Sequence, residues 1–484
     1  MVISMKNNPI WDINKNNKYN DSLKTNNVDI LIIGGGITGI TTAYLLRNLN
    51  KRILLIDKDN LGFDTTYKST AKISFIQKDI YQKLEKTYNY ETSKLYFESQ
   101  KEAINIITNI IKDEKIDCEL EKVNSYLFTN KKESINKLNK ERDLLKSFKV
   151  ECFDQQKLPI NYKIEASFYV ENNYVFNPIK YIGNISKKLN SIDICINTMA
   201  FNIKKENNSY KVTTNNGIIN TKKVIVTTHY PFFIFPNLIP IRNYISREYV
   251  NTCNYPHNNF TAINIDKDTE SIRFYKDNII YVSNNHRLTN KINYKVNYND
   301  SKTKFKNNFN KEILYSWMNQ DLMTNDYLPI IGYSRKDNKN LLLACGYNAW
   351  GMTNGVIAAK IISDLIMNKK NKYYNLFRPD RISLNGIINS IIDGIFYAKA
   401  YIEAPFIKKD NIYKVKVNDE DYFLYIDKNK NKHYVKTKCP HMKCNLVFNK
   451  EELTWDCPCH GSRFDIDGNI ITSPTKNDIK KKNN

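Results

Sequence analysis

Cys439, His441, Cys457 and His460 form two Cys/His pairs, and Cys444 and Cys459 sit beside them. The stretches read Cys439-Pro440-His441-Met442-Lys443-Cys444 and Trp455-Asp456-Cys457-Pro458-Cys459-His460-Gly461-Ser462. The chain has only nine cysteines and six histidines, so this density within residues 439–460 is not a chance scatter. Thiolates are soft ligands that hold iron on sulfide, and imidazoles replacing two of them raise the reduction potential. Two Cys and two His can instead close a tetrahedral zinc site, although zinc sites usually pair Cys with Cys and His with His. Both chemistries need two loops held face to face by a small, stiff scaffold.

The spacing C-x-H-x-x-C followed by C-P-C-H-G-S resembles the Rieske iron–sulfur module over roughly residues 406–475. The resemblance implies a small all-β domain with a [2Fe-2S] cluster. Cys439 and Cys457 would ligate one iron, His441 and His460 the other, and a Cys444–Cys459 disulfide would tie the loops. Lys443 stands where that family has glycine, which puts the local turn in question. Phe464 replaces a tyrosine donor of high-potential members while Ser462 is retained. Fewer donors to the cluster imply the lower half of the roughly −150 to +300 mV Rieske range.

A second chemistry lies near the N-terminus. Val28 to Ile33 is an apolar run suited to a buried parallel strand, and Gly34-Gly35-Gly36-Ile37-Thr38-Gly39 follows it. A helical stretch and a second strand, Ile53 to Ile56, lead to Asp57. Strand, G-x-G-x-x-G, helix, strand and acid in this order predict a dinucleotide site. Gly34 permits the turn, Gly36 admits the pyrophosphate, Gly39 lets helix pack on strand, and Asp57 is placed to accept from the adenosine ribose. Later segments resemble the FAD-dependent oxidoreductases of the D-amino-acid dehydrogenase, glycine oxidase and sarcosine oxidase group over roughly residues 25–375. The segment with Thr65, Thr66, Thr70 and Ala71 is similar to their flavin loop, and Ala200 to the backbone that meets the adenine. Gly346 to Gly355, with Gly351, Met352 and Thr353, resembles the loop that opens the C-terminal flavin helix. The resemblance implies a Rossmann-type α/β FAD-binding domain with an antiparallel substrate sheet, and non-covalent FAD.

These features predict an N-terminal extension (1–26) and an oxidoreductase domain (27–375) with substrate parts at about 80–160 and 235–320. A linker (376–405), a Rieske module (406–475) and a polar, disordered tail (476–484) follow. Ala103, Ile106, Ile107, Ile110 and Ile111 mark a core-facing helical stripe, and residues 240–310 read as strands. Within that sheet Arg247 is the candidate to bind a substrate carboxylate, because a guanidinium does so bidentately. Tyr249 and His229 are further catalytic candidates.

Lys+Arg 73 against Asp+Glu 50 gives a net charge of +23. Lys, Asn, Ile and Tyr are abundant throughout, as an AT-rich coding sequence would produce, and no nucleic-acid motif concentrates the charge. The compositional origin is the favoured reading of that charge, docking of a soluble, acidic electron carrier is the sharper minor one, and nucleic acid is not expected as a partner. The first residues lack an apolar signal segment, and no run reaches the roughly 18–20 apolar residues of a transmembrane helix. The expected location is cytoplasmic. The expected reaction passes electrons between a small amine, amino acid or hydroxy acid, FAD and the cluster, and then a carrier. A flavin/iron–sulfur shuttle without a small-molecule site is the alternative.

Overall fold

The computed structural model describes residues 8–12, 19–232, 239–288, 292–402 and 411–481. Parts of the expected N-terminal extension, the start of the second substrate segment, the 403–410 boundary and residues 482–484 lie outside the described residues.

The apolar run Asn27–Ile33 is the central strand of an eight-stranded sheet. It pairs in parallel with Ile53–Ile56 on one side and Gly217–Val226 on the other. Ile192–Cys195 and Asn338–Cys345 extend the parallel order, and Ile330–Arg335 closes one edge antiparallel. Strands buried on both faces need continuous apolar sequence, and Ile30 to Ile33 are each 4% exposed or less. Helices Ile37–Leu46 and Gly351–Ile366 pack together, with Gly355 close against Ile37 and Thr38.

A nine-stranded sheet forms the second layer, antiparallel except where Phe260–Asn264 runs parallel to Glu121–Thr129. Its strand Asn243–Asn254 lies between Tyr315–Thr324 and Asn278–Arg287. Residues 294–309 depart from the expected strands: Tyr294–Phe309 is a helix. The Asn293 side chain caps it by accepting from the Val296 N–H, and Tyr294, Tyr298, Ser301, Phe305 and Phe309 are its buried positions. That stripe is spaced at three and four residues and is diluted by Lys and Asn, which masks its period.

Two small antiparallel sheets make the C-terminal module, Ile412–Val417, Glu420–Ile426 and Lys432–Lys436 in one, Val447–Asn449, Thr454–Asp456, Arg463–Phe464 and Ile470–Thr472 in the other. Trp455, fully buried, stacks on Phe423 at 5.0 Å between them. The expected disordered tail is a correction: Ile479 is buried, its carbonyl accepts from Lys436 N–H at 2.8 Å and its N–H donates to Gly468. One isoleucine in a polar tail is enough to seat it. Trp11 of the extension is likewise buried, under the Arg273 guanidinium and against Tyr275.

The helix Leu384–Ile402 leads from one part to the other. Asn389 and Ser390 face the protein, bonded to Asn325, while Ile387, Ile388, Ile391, Ile392 and Ile395 are exposed.

Candidate functional site

At the carboxyl end of the parallel strands the glycine turn is packed as its spacing predicts. Gly34 has φ 106°, and a Cβ there would sit 2.7 Å from the Thr227 carbonyl oxygen. A Cβ on Gly39 would come within 1.8 Å of the Gly34 oxygen, so only glycine lets this helix approach its strand. Gly36 is open except toward the Thr66 hydroxyl, which also accepts from the Ile37 N–H. Asp57 accepts from the Gly35 and Asp59 N–H groups at 2.6 and 2.9 Å, and burial pushes its carboxyl up to about 6.

This turn opens into a cavity of about 590 Å³. Gly34, Gly36, Asp57, Thr65, Thr66, Thr70, Ala71, Ala200, Gly351, Met352 and His229 line it. Gly39, Gly346 and Thr353 stand behind it. Gly346 turns the chain at φ 72° against Thr324, and the Thr353 hydroxyl accepts from Gln77. Asn348 and Ala349 both adopt left-handed φ just before the helix that starts at Gly351, a strained turn that sets this helix N-terminus at the cavity edge. An extended hollow that begins at a glycine turn and ends at a second helix N-terminus suits a dinucleotide with an anionic ring.

Past this cradle, strands Asn243–Asn254 and Tyr315–Thr324 form a wall with two faces. Side chains alternate along a strand, so neighbours point oppositely. Ser246, Glu248, Asn319 and Asp321 line the cavity. Arg247 and Gln320, register partners between them, turn to the other face and meet the C-terminal module. Arg247 is therefore not a cavity residue. Its Nη1 donates to Asp456 at 2.7 Å, its Nε and Nη2 donate to Gln320 at 3.0 and 2.9 Å, and Gln320 donates to the Gly461 carbonyl. Tyr249 is also off the cavity, bonded to His286 at 3.0 Å and packed on Tyr298. Parity along the strand, invisible without register, decides both placements. His229 does line the cavity, with a buried Nε2 that has no hydrogen-bond partner. Burial lowers its basicity, and Asp64 opposes the shift.

On the cavity face the Asn319 amide donates to Asp321 at 2.9 Å and Glu248 at 3.3 Å. Burial, then the Glu248 charge, pushes the Asp321 carboxyl far above its ordinary range, and burial raises Glu248 as well. The Asn319 amide bridges the two carboxyls, and their burial favours the protonated forms. Lys72 stands nearby, bonded to Ser271 and over the Trp350 ring, and burial pushes its ammonium down to about 8. Sequence reading missed this group. The only trace of it is two unbroken polar triplets, Ser-Arg-Glu and Asn-Gln-Asp, in strands otherwise read as substrate sheet.

The two Cys/His loops come together as expected. Cys439, Cys457 and His460 are 0–3% exposed, His441 is half-buried, and the imidazole centroids are 5.0 Å apart. Cys439 and Cys457 share a hydrogen bond that pulls the Cys439 thiol down and pushes the Cys457 thiol up, while the Ser462 hydroxyl supports Cys439. The sulfurs of Cys444, Cys457 and Cys459 also cluster, but Cys444 and Cys459 form a disulfide, leaving Cys457 as the ligand of that trio. His441 Nδ1 is buried without a partner, as suits a nitrogen meant for a metal. Lys443 holds the turn at φ 61°, the conformation glycine would take freely.

The module borders the cavity, and one ring from outside the module links the hollow to the cluster loops. Tyr230, buried beside His229, lines the hollow and packs edge-on against His460 and His441. Thr472 and Ser473 of the module line it too, and Lys58 donates to the Ile471 carbonyl.

Residues 29–365 match the family model DAO, FAD dependent oxidoreductase, and residues 401–482 match the Rieske [2Fe-2S] domain. The chain belongs to the DAO family of FAD-dependent oxidoreductases. The Rieske match takes in the seated tail residue Ile479. The YhfW protein of Bacillus subtilis (strain 168), named for a Rieske 2Fe-2S iron–sulfur protein, is 30% identical over 474 residues, 94% of this chain and 93% of its own. Glycine oxidase from Geobacillus kaustophilus superposes with a TM-score of 0.63 at 12% identity, over 74% of this chain and all of that one. L-Amino acid deaminase from Proteus myxofaciens gives 0.61 at 13%, over 78% and 100%. At such identity the likeness is one of fold.

The DAO domain binds FAD and the Rieske domain a [2Fe-2S] cluster, and the glycine cradle and the partnerless His441 Nδ1 fit them. Among the described residues no helix is long and apolar enough to cross a membrane.

Proposed function

We propose that the protein is a dehydrogenase for a small amine, amino acid or hydroxy acid, whose electrons leave through the Rieske centre to a soluble carrier rather than to oxygen. The observation that supports this most is the two-faced wall. The cavity face carries unspent acids beside the flavin cradle, and the opposite face holds the Rieske domain by a buried ion pair. Bound FAD supplies a two-electron acceptor for hydride. The chain's residues bind the substrate and manage its proton. Glu248 and Asp321 accept the proton that the substrate nitrogen or oxygen gives up, and Asn319 holds the two carboxylates in place. His229 stands at the cradle end as a second proton group. Glycine oxidase and the L-amino acid deaminase are named for amino acids, which favours that class here. No arginine is among the described lining residues, so a substrate carboxylate would rest on Lys72. A cytoplasmic location and an acidic carrier suit a chain of net charge +23.

The shuttle reading predicts a flavin face filled by side chains. Against it stands a lining that continues past the cradle to Glu248, Asp321, Asp266 and Thr269. The deciding experiment is anaerobic bleaching of the bound flavin by a panel of amines, amino acids and hydroxy acids. Reduction by one class, followed by appearance of the reduced-cluster signal, is expected. Reduction by a ferredoxin alone would leave the shuttle.

A further inference from the structure

Tyr230 follows the parallel strand Gly217–Val226, at the end of the sheet where the cavity opens. The chain turns there through His229 at φ 61°, and the Tyr230 N–H donates to the Thr228 carbonyl at 2.6 Å. The residue is 3% exposed, so its ring occupies the space between hollow and module and is not a surface ornament. Its ring centroid lies 6.0 Å from that of His460 and 6.5 Å from that of His441, at 75° and 76°. Those imidazoles are themselves edge-to-face at 5.0 Å. One aromatic side chain of the DAO domain thus touches both candidate iron-ligating rings while facing the flavin cavity.

We propose that the Tyr230 ring is the packed contact through which electrons cross from the flavin cavity to the histidine side of the cluster. This rests on the reading above that the two centres exchange electrons. Elsewhere among the described residues the module approaches the cavity through Ile471, Thr472 and Ser473, a saturated segment, and through Lys476 over the Phe232 ring, which touches neither imidazole ring in any described contact. Contact through a delocalised ring, in van der Waals register with two imidazoles, is the better medium. In each crossing the reduced flavin loses one electron and the oxidised cluster gains it. Two crossings, with the soluble carrier reoxidising the cluster between them and the proton released to the cavity, discharge one hydride equivalent. No bond forms at Tyr230, and its ring is neither oxidised nor deprotonated, so the aromatic face matters and the hydroxyl does not.

The test uses holoenzyme carrying FAD and iron–sulfide, reduced anaerobically by a flash of photoexcited deazaflavin, since the substrate is unidentified. Electron redistribution is followed by flavin absorbance, and the reduced cluster by electron paramagnetic resonance of frozen samples. Tyr230→Phe is expected to keep the wild-type rate within about twofold, and Tyr230→Leu to slow it by at least ~10-fold, because a gap replaces rings now in contact. Iron content, resonance spectrum and cluster midpoint potential are expected to be unchanged in both. Wild-type rates in Tyr230→Leu would overturn the proposal. So would loss of iron or a moved potential, which would make the ring a prop of the cluster. Absence of any internal transfer in the wild type would instead sink the reading under Proposed function.

Discussion

The two faces of one wall use buried charge in opposite ways. On the module face Arg247 and Asp456 are both fully buried, and every charge has a partner: Asp456 takes Arg247 at 2.7 Å and Arg463 at 3.1 Å. Burial alone would raise the Asp456 carboxyl, but the two guanidiniums outweigh it and hold the acid down to about 2. On the cavity face Glu248 and Asp321 share one amide; burial lifts both, the Glu248 charge lifts Asp321 further, and Lys72 and Lys78 only partly offset the rise of Glu248. Satisfied charge fixes one domain to another, and unsatisfied charge stays available to a substrate.

The contrast can be broken from either side. The largest effect is expected from Cys457→Ser: complete loss of the cluster's paramagnetic signal and of bound iron, with the flavin absorbance band kept, because the FAD cradle draws nothing from that loop. Next, Arg247→Met leaves the wall intact but strands part of the Asp456 charge. Breaking one partner of a buried pair costs about 3–5 kcal/mol, to be read as a lower unfolding midpoint in denaturant. The same pair makes stability acid-sensitive. A carboxyl depressed on folding contributes above its unfolded value, near 3.8, and that contribution is lost as pH falls through about 2. A smaller effect, on activity alone, is expected from Asp321→Asn. Flavin reduction by substrate should slow by roughly 10²-fold, the lower end for losing a proton acceptor. Glu248, freed of its like-charged neighbour, should then ionise more easily, moving the rising limb of the pH–rate profile to lower pH. Unchanged rate and unchanged limb would remove the acid pair from the mechanism. The smallest change is Lys443→Gly. Releasing a left-handed lysine should stabilise the Rieske domain by about 1 kcal/mol, seen as a small rise in Tm.

The sequence was most legible where the chemistry is local. Gly34 to Gly39 and the paired Cys/His loops carry their geometry in consecutive residues, so their positions in the structure match the spacing. The wall was illegible for a physical reason. Whether Arg247 or Glu248 faces the cavity depends on a one-residue parity, and parity is set by pairing with residues some seventy positions away, as in Arg247 with Gln320. Tyr230 had no signal, since its importance comes from rings contributed by a different domain. The helix Tyr294–Phe309 was hidden by lysines and asparagines on its outer face, and the tail by the brevity of its one apolar anchor.

The helix Leu384–Ile402 is the only stretch of its kind that carries isoleucines outward while its small polar residues face inward, among the described residues. It is also where the backbone passes from oxidoreductase to iron–sulfur domain. Grip between those domains lies elsewhere, in Arg247 with Asp456, Tyr298 with Glu452 and Lys58 with Ile471. Covalent continuity is therefore not what keeps the centres together: a nick in this connector would yield two polypeptides that still travel as one particle.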